Sequence, residues 1–131
     1  MTTIVLADDH ALVREGLRII LGGEDDWFVV GEAADGLDAV ALVEQLQPNV
    51  LIVDLMLPAL SGLEVIRQVG KRVRGTHIVA LSMHANESYV LAALRNGAQA
   101  YVLRQVSWRP RSMRGDAARS SSCKTKPGLG A

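Results

Sequence analysis

The stretch "NVLIVDLMLPALSG", residues 49–62, decides how this chain is read. Its run "VLIV" is continuously apolar and not alternating, which is what a strand buried on both faces of a parallel sheet demands. The run closes on Asp54, a carboxylate at the end of an apolar strand, and Pro58 and Gly62 then give a tight loop into a helical pattern.

Working outward, four more β-branched runs flank this one: "TIVLA" (3–7), "WFVVGEA" (27–33), "HIVALS" (77–82) and "AYVL" (100–103). Between them, Leu12, Val13, Leu17, Ile20 and Leu21 follow helical spacing. So do Leu37, Val40, Val43 and Leu46, then Leu63, Val65, Ile66 and Val69, then Val90, Leu91 and Leu94. Gly22-Gly23, Pro48, Gly75 and Gly97 supply the stops. Strand and helix in alternation predict an α/β fold, a doubly wound five-stranded parallel sheet with right-handed crossovers.

The 131 residues, 49% hydrophobic and 21% charged, fit one globular domain. No run reaches the ~18 apolar residues of a membrane span, and the N-terminus lacks the basic start and cleavage site of a signal peptide, so a cytoplasmic protein is expected. The single Cys123 cannot form an internal disulfide.

Zero formal net charge hides a division. Residues 1–103 carry seven Lys+Arg against thirteen Asp+Glu, a formal −6, whereas 104–131 hold seven basic residues and Asp116, a formal +6. The chain divides into a folded domain over 1–106 and a basic Arg/Ser/Gly/Pro-rich tail over 107–131, read as flexible and solvated. A fifth helix is expected after "AYVL", yet the tail offers no apolar stripe, so that helix reads as missing or replaced.

Polar residues at the carboxyl ends of the strands mark the functional crevice of an open α/β sheet. The first strand ends in Asp8-Asp9, the third in Asp54, the fourth in Ser82 and the fifth in Arg104. Converging carboxylates repel unless a cation sits among them, and a hard divalent ion such as Mg²⁺ suits oxygen ligands. Such a site fits phosphoryl transfer, with Asp54 as the nucleophile that forms an aspartyl-phosphate and Ser82 and the fifth-strand cation holding phosphate oxygens. Singly, each residue has a simpler reading as a turn former, a helix cap or a loop hydroxyl; together at successive strand ends they do not. His10, His77 and His84 show no metal-site spacing, and His10 and His84 are read at the crevice rim.

The segments "VLADDHALVREGLRIIL", "VVGEAADGLDAV", "VLIVDLMLPALSGLEVIR" and "LSMHANESYVLAALRNGAQAYVLR" resemble the receiver domain of two-component response regulators over residues 3–104, most closely the LuxR-type (nitrate-regulator) branch. The resemblance implies a flavodoxin-like sheet of order 2-1-3-4-5 and a phosphoacceptor switch, not an enzyme as such. It implies that Asp54 takes a phosphoryl group from a sensor histidine kinase, and that Asp8, Asp9, Asp54 and the Met56 backbone carbonyl hold Mg²⁺. Ser82 would follow the phosphate, Tyr101 would report it by its rotamer, and Pro58 and Gly62 would shape the loop. The output would be a switched protein–protein interface in transcriptional regulation, with a homodimer possible; the usual DNA-binding helix-turn-helix is not expected in this chain.

Two departures stand out. Arg104 occupies the place of the family's lysine, and a planar guanidinium fork does not fill the space of a slim ammonium stem. The alternative function is therefore a passive receiver-like binding module with impaired switching. The missing helix would leave a sheet face bare, inviting dimerisation or a replacement cover, for which Trp108 and Met113 are the large apolar candidates.

Overall fold

The protein was analysed as a computed structural model that describes residues 1–82, 87–103 and 123–125. The elements run β1 (Thr2–Ala7), α1 (Ala11–Leu21), β2 (Trp27–Ala33), α2 (Gly36–Leu46), β3 (Val50–Asp54), α3 (Gly62–Arg72), β4 (His77–Ser82), α4 (Glu87–Arg95), β5 (Ala100–Leu103) and β6 (Cys123–Thr125). β1 to β5 are parallel and ordered β2-β1-β3-β4-β5, as expected for a doubly wound sheet. All five expected strands stand within one residue of their sequence bounds.

One strand was not expected. β6 pairs antiparallel with β5, Val102 against Cys123 through Ala100 against Thr125, and extends the sheet to six strands. It lies in the segment read as a tail. Arg104, Trp108, Met113 and the place of a fifth helix lie outside the described residues.

Local chemistry sets the helix starts. Asp35 caps α2 by accepting from the Asp38 N–H at 2.8 Å, and Ser61 caps α3 by accepting from the Glu64 N–H at 3.3 Å. α2 stops at Gln47, which takes left-handed backbone (φ 45°) just before Pro48.

The two faces of the sheet are covered unequally. On one, α2, α3 and α4 pack over a core that includes Val5, Val43, Leu51, Val53, Ile66 and Tyr101. On the other, Ile4, Leu6, Ile52 and Leu81 form a smaller cluster beneath α1, helped by the half-buried Leu17 and Leu21. α1 contains no fully buried residue, and two members of its expected apolar stripe are wrong: Leu12 is 83% and Ile20 72% exposed. They point away from the sheet because a single helix lies on this face among the described residues. Beside α1, an apolar cavity of about 290 Å³ is walled by Ile4, Leu21, Trp27, Ile52 and Val79.

β2 carries an irregularity opposite the middle of β1. Ile4 is level with Val29 and Val5 with Gly31, so Val30 is an extra residue with no partner on β1.

Candidate functional site

Each element that delivers an acidic side chain to the crevice does so by ending there. β1 runs out at Ala7, and Asp8 is fixed by its N–H donating to the Ala33 carbonyl at 3.0 Å, which ties the end of β1 to the end of β2. β3 ends at Asp54, one strand over, with the following Leu55 N–H donating to Leu81 O at 3.1 Å. A carboxylate oxygen from each of Asp8, Asp9 and Asp54 and a ring nitrogen of His10 all lie within 4.8 Å of one another. Asp8 is 1% and Asp54 4% exposed. Carboxylates packed this closely, with Asp8 and Asp54 shielded from water, repel one another, and that repulsion is relieved by a cation. The hard oxygen donors suit a divalent ion that keeps several waters, with the imidazole of His10 as a weaker fit.

His10 stands at the rim of the crevice, as the sequence suggested, with more than half of its side chain exposed, and it also joins the acidic group. Its Nδ1 sits 3.0 Å from both Asp8 Oδ1 and Asp9 Oδ1, and its backbone N–H donates to Asp8 Oδ1 at 2.8 Å. Arg14 was missed as a site neighbour: its Nη1 donates to the Asp8 backbone carbonyl. The available signal was the contiguity of Asp8-Asp9-His10 ahead of a helix whose first turn carries Arg14.

The loop after Asp54 is held from several sides. The Met56 N–H donates to Asp54 Oδ1 at 3.0 Å, turning the chain back on its own carboxylate. Leu60 N–H donates to Pro58 O at 2.7 Å across Ala59, which has positive φ (67°), a conformation that strains any residue with a Cβ. The Pro58 carbonyl also accepts from the Gly36 N–H at 3.1 Å, joining the loop to the start of α2. Gly62 opens α3 directly against the strand end: a Cβ there would stand 2.2 Å from the Asp54 carbonyl oxygen and 2.5 Å from Leu55 Cα. No side chain fits, so α3 begins as close to Asp54 as backbone can lie.

Ser82 ends β4 and is 2% exposed; Asp54 is level with Leu81, so Ser82 stands one position further toward the mouth of the crevice. Tyr101 is level with Ala80 and 2% exposed, on the same sheet face as Ser82 by the two-residue period of a strand. Asp8, Asp9 and Asp54 are therefore brought together, Ser82 and Tyr101 line up beside them, and Pro58 and Gly62 bracket the loop. The Met56 side chain is exposed and faces away from the core. Arg104, His84 and Met83 lie outside the described residues.

Comparison with known proteins agrees with this geometry. The model of the response regulator receiver domain matches residues 4–110. The oxygen regulatory protein NreC of Staphylococcus carnosus is 47% identical over 104 residues, which are 79% of this chain and 48% of that protein. The uncharacterized transcriptional regulatory protein YhcZ of Bacillus subtilis is 40% identical over 103 residues, again 79% of this chain and 48% of that one. The chain thus spans about half the length of the curated relatives it matches. Among solved structures, the signal receiver domain of the NarL-type regulator from Mycobacterium tuberculosis superposes with a TM-score of 0.76 at 30% identity, covering 91% of this chain and 94% of that one. The response regulator domain of Thermotoga maritima CheB does so at 0.76 and 29%, covering 92% and 90%. No helix among the described residues is long and apolar enough to cross a membrane. Sheet order, strand-end carboxylates and a family match over most of its length make this chain a member of the response regulator receiver domain family.

Proposed function

We propose that Asp54 is the phosphoacceptor of a cytoplasmic two-component signalling switch, that Asp8 and Asp9 with Asp54 and the Met56 carbonyl hold Mg²⁺, and that the donor is a sensor histidine kinase. The observation that carries this reading is the convergence of Asp8, Asp9 and Asp54 donor atoms within 4.8 Å at the carboxyl ends of adjacent parallel strands. In the proposed step an Asp54 carboxylate oxygen attacks the phosphorus of a phosphohistidine; the new P–O bond forms as the P–N bond breaks, and the imidazole leaves with a proton. Mg²⁺, when bound, would neutralise charge on the transferring oxygens. The Ser82 hydroxyl, one position beyond Asp54 on the neighbouring strand, would donate to a phosphate oxygen on Asp54.

Phosphate at Asp54 would then bias a two-state equilibrium that includes Ser82 and Tyr101 and is read out at α4 and β5, where a second receiver or another protein docks. The name of the relative YhcZ, a transcriptional regulatory protein, points to transcription as the output. The test is incubation with Mg²⁺ and a small-molecule phosphodonor, followed by intact mass. A single phosphoryl adduct is expected on the unaltered chain, lost in Asp54→Asn and in EDTA. An adduct that survives Asp54→Asn, or no adduct at all while Mg²⁺ still binds, overturns the proposal.

A further inference from the structure

At the pole of the sheet opposite Asp54, α3 and α4 end on either side of the start of β4 and enclose a cleft of about 330 Å³. Its walls include Arg67, Lys71, Arg74, Arg95, Thr76 and Gln99, and no carboxylate side chain among the described residues lines it. This pole stands out when the cations are sorted by partner. Among the described side chains, Arg14 and Arg18 pair with Glu32, Arg67 with Glu64, and Arg72 with Glu44. Lys71, Arg74 and Arg95 make no ion pair with a described residue, and all three line this one cleft.

Helix ends explain part of this. Lys71 lies in the last turn of α3 and Arg95 in the last turn of α4, where cations offset the roughly half negative charge of each carbonyl end. Against about one negative charge from two helix ends, and the longer-range pull of Glu64 on Lys71, stand three cations, so the cleft keeps a net positive excess. Arg74 lies beyond α3 and has no dipole role of this kind.

Neutral donors add to the charge. Gln99 is held rigidly: its Oε1 accepts from the Ile78 N–H at 2.6 Å while its own N–H donates to Ile78 O at 2.9 Å. Because the oxygen is engaged, its Nε2 hydrogens are left to the cleft, with no acceptor among the described residues. Guanidinium forks, an ammonium and an amide donor around a concave space recognise phosphate oxygens. A volume of this size is that of a small-ligand site, whereas a duplex or a membrane surface needs an extended or convex basic face.

We propose that this cleft binds a small polyphosphorylated anion, one with two or three linked phosphates. The site is remote from Asp54 and stands whether or not Asp54 is phosphorylated.

The experiment titrates inorganic tripolyphosphate into the full isotope-labelled chain, at fixed ionic strength and without divalent ions, and follows backbone amide NMR signals. Saturable shifts are expected at residues 71–76 and 95–99 and not at Asp8 or Asp54. The double change Arg74→Gln/Arg95→Gln should weaken binding roughly 10-fold, Lys71→Gln roughly 3-fold, and Arg72→Gln, whose guanidinium is engaged by Glu44, not at all. Unmoved signals elsewhere in each variant show that the fold is kept. Shifts that spread to Arg14 and Arg18 and never saturate, equal weakening by Arg72→Gln, or tighter binding of a tetraglutamate peptide than of tripolyphosphate would each overturn the proposal.

Discussion

The two faces of the sheet are built from the same strands and held by different means. The α2–α3–α4 face buries Val43, Val65, Ile66, Val69 and Ala93 completely or nearly so, and its helices are anchored by shape. The α1 face has half-buried Leu17 and Leu21, a neighbouring apolar cavity and exposed Leu12, Ile19 and Ile20. There α1 is tied down by charge as well as by this contact, with Arg14 Nε 3.1 Å and Arg18 Nε 2.9 Å from the two oxygens of Glu32 on β2. The contrast teaches that, among the described residues, the two sides of one sheet are held by different mixtures: dense packing on one, and on the other a thin apolar contact supplemented by ion pairs.

The sharpest way to break this contrast is truncation on each face. Ile66→Ala should lower unfolding free energy by about 3–4 kcal/mol, since it opens a cavity in a closed layer. Leu17→Ala, on a helix beside an existing gap, should lose only about 1–2 kcal/mol. Urea unfolding measures both, and equal losses would mean that α1 is packed as tightly as α3.

A smaller effect is expected from Glu32→Gln, which removes the shared carboxylate of Arg14 and Arg18. It should cost about 1 kcal/mol at low salt and much less at 1 M, because these are partly exposed pairs that salt screens. The same salt change should leave the Ile66→Ala difference untouched. Hydrogen exchange of the α1 amides would locate the loss; protection unchanged by Glu32→Gln would end the idea that charge anchors this helix.

The smallest effect belongs to an ion pair on the outer rim of the packed face. The Glu64 carboxyl is lowered to about 2 by its hydrogen bond from Arg67, aided by Gln68. A depressed acid adds stability that is present above its unfolded value near 4.5 and disappears as pH falls toward 2. Arg67→Gln should therefore leave stability at pH 7 slightly lower and move the acid-unfolding midpoint slightly upward, as followed by circular dichroism. Both residues are half-exposed, so a large shift would contradict the view that this face is held by packing.

Much of this was legible in the sequence. The continuous apolar runs ending in Asp8, Asp54 and Ser82 fixed strand positions because burial on both faces forces such runs, and strand ends necessarily share one edge of a parallel sheet. β6 was not legible: three residues with a central Lys124 carry no periodicity. The exposure of Leu12 and Ile20 was hidden because helical spacing reports which residues could face a core, not whether a neighbouring helix is there to make one. The contact of His10 with the Asp8 and Asp9 carboxylates was not legible, because ring position depends on how the chain turns after β1, which spacing does not encode. The basic cleft joins residues as distant as Lys71 and Arg95, and chain topology alone brings them together.

The extra residue in β2 has a consequence for parity. Before Val30, the odd-numbered Val29 belongs with Ile4 on the α1 side of the sheet; after it, the odd-numbered Gly31 meets the side chains of Leu42 and Leu46 on α2, and Ala33 joins the opposite core. One unmatched residue has exchanged inside for outside along the rest of the strand. Glu32, an even position level with Leu6, thereby stands on the α1 side, where Arg14 and Arg18 find it. Arg14 in turn reaches the carbonyl of Asp8. A frame slip of one residue in an edge strand thus decides which side of the molecule a carboxylate serves, and through it how the first helix is moored to the acidic crevice.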